Sequence, residues 1–185
     1  MKKITTKTPK IVQKGEPVLR KIAENVEITD ITKPKIQKIL LDMKKALDSQ
    51  DDGVAIAAPQ IDVPLRIFMV SRKAEIITRG VESIPEDELN KIKDPVYINP
   101  EIKKLSRTKN IVDEGCLSVR YLYGKVKRAE KATVTAYDEN GKKFTKGASG
   151  LLAQIFQHEI DHLNGILFVD KADNIVEVLP KEAKI

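Results

Sequence analysis

The sequence has a single cysteine, two histidines and no tryptophan among its 185 residues. One cysteine excludes an internal disulfide, and a thiolate that binds a metal survives only in a reducing compartment. No segment reaches the about 18 consecutive apolar residues that a membrane helix needs. The lysine-rich start, residues 1–10, lacks the apolar stretch of a signal peptide. We therefore expect a cytoplasmic protein with no membrane partner.

Aromatic residues are also scarce, at 4% of the chain, although the formal net charge is +6. The lysines are scattered among nearly as many acidic residues, and clustered aromatic residues for stacking on bases are absent. This pattern argues against specific nucleic-acid binding and favours a basic, solvated surface. It leaves open a weak electrostatic association with the ribosome through its RNA.

The length and the 41% of hydrophobic residues predict one domain over residues 1–185, with a core of real size. Apolar residues at helical spacing predict an amphipathic helix that starts near Thr32 and ends before Asp51. A polar stretch, Lys73–Lys93, predicts a surface insertion, and Asn140-Gly141 predicts a hairpin turn. Five short segments read as strands of a mostly antiparallel sheet: 65–71, 95–99, 101–105, 124–128 and 132–138.

The most informative segment is Gln157–Asn164, which contains both histidines four positions apart. On a helix of about 3.6 residues per turn, His158 and His162 share a face and can bind one metal ion. Glu159 lies beside that face, where its offset favours the role of general base over that of ligand. Ser149 as N-cap and Gly165 as the stop are typical of a helix between them. The fold class we predict is therefore α+β, with antiparallel sheets packed around this C-terminal helix.

Two histidines do not complete a catalytic metal site, which usually has three protein ligands and one position for water. With no third histidine in the chain, the third ligand is either a carboxylate or Cys116. We favour Cys116, which follows Gly115 in a segment where the glycine lets the backbone turn tightly beside the sulfur. Such a site lowers the pKa of bound water toward about 7 and so predicts hydrolysis of an amide or an ester.

Three segments in order, 53–60 (GVAIAAPQ), 114–118 (EGCLS) and 157–165 (QHEIDHLNG), resemble the signature motifs of the peptide deformylase family. The resemblance extends to Gly15–Ala23 and so covers nearly the whole chain. It implies removal of the formyl group from the N-terminal methionine of new polypeptides, with release of formate. It also implies that Cys116, His158 and His162 bind one divalent ion, Fe(II) natively, with Zn, Ni or Co as possible substitutes.

The resemblance assigns further roles around this site. Gln60 and the Leu117 backbone N–H are expected to stabilise the oxyanion, while Glu159 transfers the proton. Glu114 is expected to pair with Arg128 and hold the Cys116 segment in place. From its sequence alone, Asp161 either accepts a proton from a ligand histidine or caps a solvated face. The residues expected to contact the substrate are Gly53, Val54, Ala55 and Gly115.

The chain departs from the family pattern at three places, of which Ile56 in place of leucine is a mild change. Ala55 stands where the family has glycine, so its methyl group is expected either to obstruct the substrate or to conflict with a positive φ. The run Val119–Tyr123 also differs from the pattern. Two other functions remain open: a metallopeptidase with a third His or Glu ligand after His162, and a basic RNA-binding domain with a structural metal.

Overall fold

The computed structural model describes residues 8–78 and 91–179. Its helices are α1 (Pro34–Asp48), α2 (Arg72–Thr78) and α3 (Gly150–Leu163). Short 3-10 helices cover Pro17–Arg20, Ile28–Asp30, Ala58–Ile61 and Phe168–Asp170. The strands are β1 (Ala55–Ala57), β2 (Ile67–Val70), β3 (Val96–Leu105), β4 (Lys109–Gly115), β5 (Leu122–Ala129), β6 (Lys131–Tyr137), β7 (Lys143–Ser149) and β8 (Asp173–Glu177).

The strands form two antiparallel sheets. The larger sheet has the order β1-β2-β3-β6-β7, and the smaller one has the order β4-β5-β8. Mostly antiparallel pairing with α3 packed against the larger sheet confirms the predicted α+β class. Among the described residues, no helix has both the length and the apolar character that crossing a membrane requires.

The β1–β2 end of the larger sheet is buried on both faces because a helix packs on each side, whereas β7 is exposed or half-buried along its length. Successive residues of β2 alternate between two apolar clusters: Phe68 packs with α3, and Ile67 packs with α1. Phe68 stacks on Tyr97 with ring centroids 4.4 Å apart, and Phe156 of α3 meets Tyr97 at 5.1 Å. These contacts fix α3, and with it both histidines, against the sheet.

Several predicted elements differ from the structure. The predicted strands 95–99 and 101–105 are one strand, β3, which continues through Asn99 at a φ of 50°. The Asn99 side chain stabilises this irregularity by exchanging two hydrogen bonds with the backbone of Val26, at 2.8 and 2.7 Å. The predicted surface insertion begins with α2, and residues 79–90 lie outside the described part of the chain.

Candidate metal centre

Helix α3 carries both histidines, of which His158 lines a cavity and His162 is buried. Ser149 occupies the predicted N-cap position in an extended conformation. Its side chain makes no capping hydrogen bond, so the position of the cap is correct and the predicted side-chain contact is not. Gly165 follows the helix at a φ of 73°. A Cβ at this position would lie 2.6 Å from the carbonyl oxygen of Arg20. Glycine is therefore required here both by backbone conformation and by close packing.

The structure brings the three predicted ligands together. One donor atom each from Cys116, His158 and His162 lies within 4.8 Å of the other two. The sulfur of Cys116 is 3.1 Å from Nε2 of His162, and the two imidazole ring centroids are 5.0 Å apart. One thiolate and two imidazoles form a donor set that suits zinc and other first-row divalent ions. The residues present therefore fit a bound metal ion.

The electrostatics of the cluster favour an ionised sulfur. Burial raises the pKa of Cys116, but the charge of His162 and hydrogen bonds from both histidines lower it to about 5 overall. Burial lowers the pKa of His158, while its contacts with Cys116 and Glu114 raise it well above the usual value. A thiolate is the form of cysteine that binds metals, and a metal ion displaces the proton of the ligand imidazole.

Glu114 and Arg128 are also brought together, and they orient His158. Arg128 donates from Nε and Nη2 to the Glu114 carboxylate at 2.7 and 2.9 Å, and both side chains are buried. The other contact of this carboxylate is Nδ1 of His158, at 2.9 Å. Because Nδ1 is engaged by Glu114, Nε2 of His158 is the nitrogen left to bind a metal. Burial raises the pKa of Glu114, but Arg128 and His158 lower it to about 2 overall.

Asp161 extends this network away from the cavity. It accepts a hydrogen bond from Arg128 Nη1 at 2.6 Å and lies 2.7 Å from Lys171 Nζ. It therefore binds neither of the ligand histidines, and it is part of an ion-pair network instead of a cap on a solvated face. Neither role expected from the sequence is correct. The sequence does not predict the contact with Arg128, because Arg128 is 33 residues away and is brought to Asp161 by the fold.

Glu159 lies in the cavity wall and is only 4% exposed. Its Oε2 is buried and has no hydrogen-bond partner among the described residues. Burial is the main cause that raises the pKa of this carboxyl group to about 7, although the neighbouring histidines act to lower it. A buried carboxyl group with this pKa can both accept and return a proton near neutral pH.

Gln60 is oriented by its backbone neighbour. Its Oε1 accepts a hydrogen bond from the Ala57 N–H at 2.8 Å, which identifies the opposite end of the amide as the donor. Nε2 lies 3.2 Å from Ser118 Oγ and 3.6 Å from Cys116 Sγ. Ser118 is fully buried, and the sequence does not predict its contact with Gln60 because the two residues are 58 positions apart.

A cavity of about 300 Å³ opens beside these groups. Its walls include Val54, Ala55 and Gly115, three of the four residues expected to contact a substrate, and Leu117, whose N–H is expected to stabilise the oxyanion. Gly53 does not line it. A Cβ at Gly53 would lie 2.9 Å from Leu47 Cδ1, so this glycine is explained by packing against α1.

Two sequence-based explanations, one for Ala55 and one for Gly115, invoke a special backbone conformation, and the structure shows it at neither residue. Ala55 lies in β1 and has no positive φ, so its methyl group causes no backbone conflict, and obstruction of the substrate is the expectation that remains. Gly115 also has no positive φ, and the tight turn beside the sulfur is formed by the residues after it, where the Val119 N–H donates to the Cys116 carbonyl at 3.0 Å. A Cβ there would lie 2.7 Å from the ring of Tyr123, its partner across the β4–β5 ladder. Glycine is needed at 115 because an aromatic ring covers it.

The metallopeptidase alternative predicts a ligand after His162, and none of the residues described between His162 and residue 179 joins the cluster. Glu177 lies in β8, opposite Leu122 of β5, and Glu182 is outside the described residues. The third donor in the described cluster is the sulfur of Cys116.

Comparison with known proteins gives a consistent result. A family model described as "Polypeptide deformylase" matches residues 8–177. "Peptide deformylase 1A, chloroplastic/mitochondrial" from Arabidopsis thaliana is 42% identical over 171 residues, which are 92% of this chain and 63% of the relative. The chain thus spans less than two thirds of this plant relative's length. "Peptide deformylase" from Carboxydothermus hydrogenoformans is 43% identical over 167 residues, which are 90% of this chain and 95% of the relative.

A solved structure of a peptide deformylase also resembles the structure of this chain. The Met-Ala-Ser-bound peptide deformylase from Acinetobacter baumannii superimposes with a TM-score of 0.73 at 32% sequence identity. The superposition covers 87% of this chain and 96% of that one.

Proposed function

This chain belongs to the peptide deformylase family, and we propose that it removes the N-formyl group from the N-terminal methionine of newly synthesised polypeptides. The products are formate and a free amino terminus. The observation that carries the proposal is the cluster of Cys116, His158 and His162 next to a cavity whose wall includes Cys116, His158 and the buried Glu159. Residues 1–185 form a single catalytic domain in this proposal.

Cys116, His158 and His162 would hold the metal ion, with His158 oriented by Glu114. When bound, a divalent ion acts as a Lewis acid that makes water a usable nucleophile near neutral pH. By the family resemblance, the proposed native ion is Fe(II), and Zn, Ni or Co are substitutes that the same donor set accepts.

The chain's own residues then handle the proton and the developing charge. As water attacks the formyl carbon, Glu159 accepts the water proton and returns it to the departing nitrogen while the C–N bond breaks. Gln60 Nε2 and the Leu117 backbone N–H donate to the formyl oxygen as it gains charge. The hydrogen bond from Ala57 to Gln60 Oε1 supports this role because it turns the amide donor toward Cys116.

The substrate we propose is an N-formylmethionyl peptide. The tripeptide Met-Ala-Ser bound to the Acinetobacter relative supports this choice, because it starts with the methionine that deformylation would expose. Val54, Ala55 and Gly115 line the cavity and are placed to contact the peptide. Weak ribosome association, the absence of specific nucleic-acid binding and the cytoplasmic location stay predictions.

Formate release from a formyl-Met tripeptide tests the function directly. The metal-loaded protein is expected to release one formate per peptide, and Glu159→Ala is expected to be slower by about 10²–10⁴-fold with its metal content unchanged. The matched control Glu139→Ala changes a glutamate outside the cavity and should keep full activity. Cleavage of internal peptide bonds, or metal binding without any turnover, would instead support one of the two alternative functions.

A further inference from the structure

Two tyrosines form part of the cavity wall and also face solvent. Tyr121 and Tyr123 line the cavity, and they are 42% and 40% exposed. Both lie in the Val119–Tyr123 run that departs from the family pattern. We use "aromatic rim" for these two residues.

Tyr123 is placed by its neighbour across the sheet. It pairs with Gly115 in the β4–β5 ladder, and its ring lies where a side chain at Gly115 would be. Since Cys116 follows Gly115, the ring is held close to the candidate metal centre. The glycine thus lets an aromatic ring cover the backbone at the edge of the cavity.

Tyr121 is held by its backbone and by the neighbouring Arg120. Its φ of 67° is rare for a bulky side chain, and its carbonyl accepts a hydrogen bond from the Val178 N–H at 2.8 Å. Arg120 donates to the Asp52 carboxylate at 2.7 and 3.2 Å, which ties this segment to the opposite cavity wall. Such a conformation persists only where surrounding contacts maintain it, and functional sites are common places for it.

The surface next to the aromatic rim combines exposed valines with charges that are paired, such as Lys125 with Asp113 at 2.9 Å. Val176 lies opposite Tyr123 in the β5–β8 ladder and is 52% exposed, and Val178 is 56% exposed. The positive charge of Arg120 is balanced by Asp52. Apolar area therefore continues from the cavity onto the outer face of the smaller sheet.

We propose that the aromatic rim is a specificity determinant, which favours an apolar side chain at the second residue of the formyl-Met peptide. This inference rests on the function proposed above. If the formyl group of a bound peptide lies next to Glu159 and the ligand cluster, the residues after the methionine extend out of the cavity through its open side. A side chain there removes apolar area from water against Tyr121 and Tyr123, which stabilises the complex.

The test compares formyl-Met-Leu-Ser with formyl-Met-Ser-Ser by formate release. The leucine peptide is expected to have a kcat/KM about five- to tenfold higher, since each buried methylene contributes about fourfold. The difference should reside in KM, because the contact is the same before and during the reaction. Tyr123→Ala and Tyr121→Gly should each bring the ratio closer to one. Tyr121→Gly also relieves the unusual φ, so its folding is not at risk.

Two controls separate the aromatic rim from other effects. Tyr123→Phe keeps the ring and should keep the leucine preference. Ile111→Ala removes an exposed apolar side chain from the same sheet outside the cavity and should leave both peptides unaffected. Equal kcat/KM for the two peptides, or a preference that survives Tyr123→Ala and Tyr121→Gly together, would overturn the inference. Absence of formate release from either peptide would instead contradict the proposed function itself.

Discussion

At the scale of single residues, two buried glutamates near the histidines have pKa values shifted in opposite directions from the ordinary value of a glutamate. Glu114 has its pKa lowered to about 2 because Arg128 and His158 outweigh its burial. Glu159 has its pKa raised to about 7, chiefly by burial, and its Oε2 has no partner among the described residues. The same side chain is thereby suited to a permanent charge at one position and to proton transfer at the other.

Gln60→Leu is expected to lower kcat by about 10²–10³-fold, because the substitution removes one donor to the developing oxyanion. The metal content should not change, since Gln60 is outside the ligand cluster. Formate release and elemental analysis of the same preparation measure both properties. Gln37→Leu is the control, because its amide binds the carbonyls of Ile31 and Glu139 outside the cavity. Normal turnover by Gln60→Leu would contradict the assigned role.

Glu114→Gln is expected to cost about 3–5 kcal/mol in the free energy of unfolding at pH 7, because it leaves Arg128 buried without its main counter-charge. The folded pKa is about 2, below the ordinary 4.5, so the ionised carboxylate stabilises the fold above pH 4.5. That contribution is lost as the pH falls from 4.5 toward 2. Denaturant unfolding of both proteins across this range should show a shrinking difference, and a difference independent of pH would count against the ion pair.

At the scale of elements, α3 connects the proposed catalytic groups with the core. It carries Glu159 and the two histidines proposed as ligands, and its apolar side chains pack on the larger sheet. Its predicted start and stop at Ser149 and Gly165 agree with its bounds because the apolar spacing and the glycine are local signals. Its position therefore depends on packing along its length and on the geometry of its final turn.

Gly165→Ala tests that final turn. A side chain there would have to accept a φ of 73° and would meet the Arg20 backbone, so a loss of about 2–4 kcal/mol in unfolding free energy is expected. Gly147→Ala is the matched control, because its nearest neighbour would be 3.9 Å away, in a strand, at an ordinary φ. Equal melting temperatures for the two variants would contradict the packing account of Gly165.

The strands show where local signals are insufficient. The sequence predicts β6 because buried residues alternate in it with half-buried ones, whereas β1 is three buried residues and every residue of β8 is exposed. Neither pattern carries the alternation that identifies a strand. β4 was missed because its sequence is mostly polar and only Glu114 is fully buried in it. The reason for glycine at position 115 is likewise not a local signal, because the ring that covers Gly115 belongs to Tyr123 on the neighbouring strand.

At the scale of the whole molecule, the candidate metal centre joins parts of the fold that are distant in sequence. Cys116 follows β4 of the smaller sheet, the histidines lie on α3, and Gln60 follows β1 of the larger sheet. The motifs predicted which residues meet, because each motif carries its own chemistry. They did not predict the pairing of Arg120 with Asp52, 68 residues away, or of Asp161 with Arg128, because those contacts depend on the fold.

Because the ligands come from separate elements, removal of the metal is expected to destabilise the whole fold. A ligand at about 1,000 times its Kd adds about 4 kcal/mol of stability, and for a chain of this size that corresponds to a Tm change of about 10 °C. Calorimetry with chelator and then with added zinc should show this loss and recovery. Cys116→Ala should abolish the recovery. A Tm unaffected by zinc would show that no ion links these elements.

The central claim is that one thiolate and two imidazoles bind one divalent ion. X-ray absorption spectroscopy of the zinc-loaded protein measures this coordination directly. It should find one sulfur at about 2.3 Å and two imidazole nitrogens at about 2.0–2.1 Å, with the fourth position held by a light atom from solvent. A spectrum without a sulfur ligand, or with a third imidazole or a second sulfur, would contradict the account.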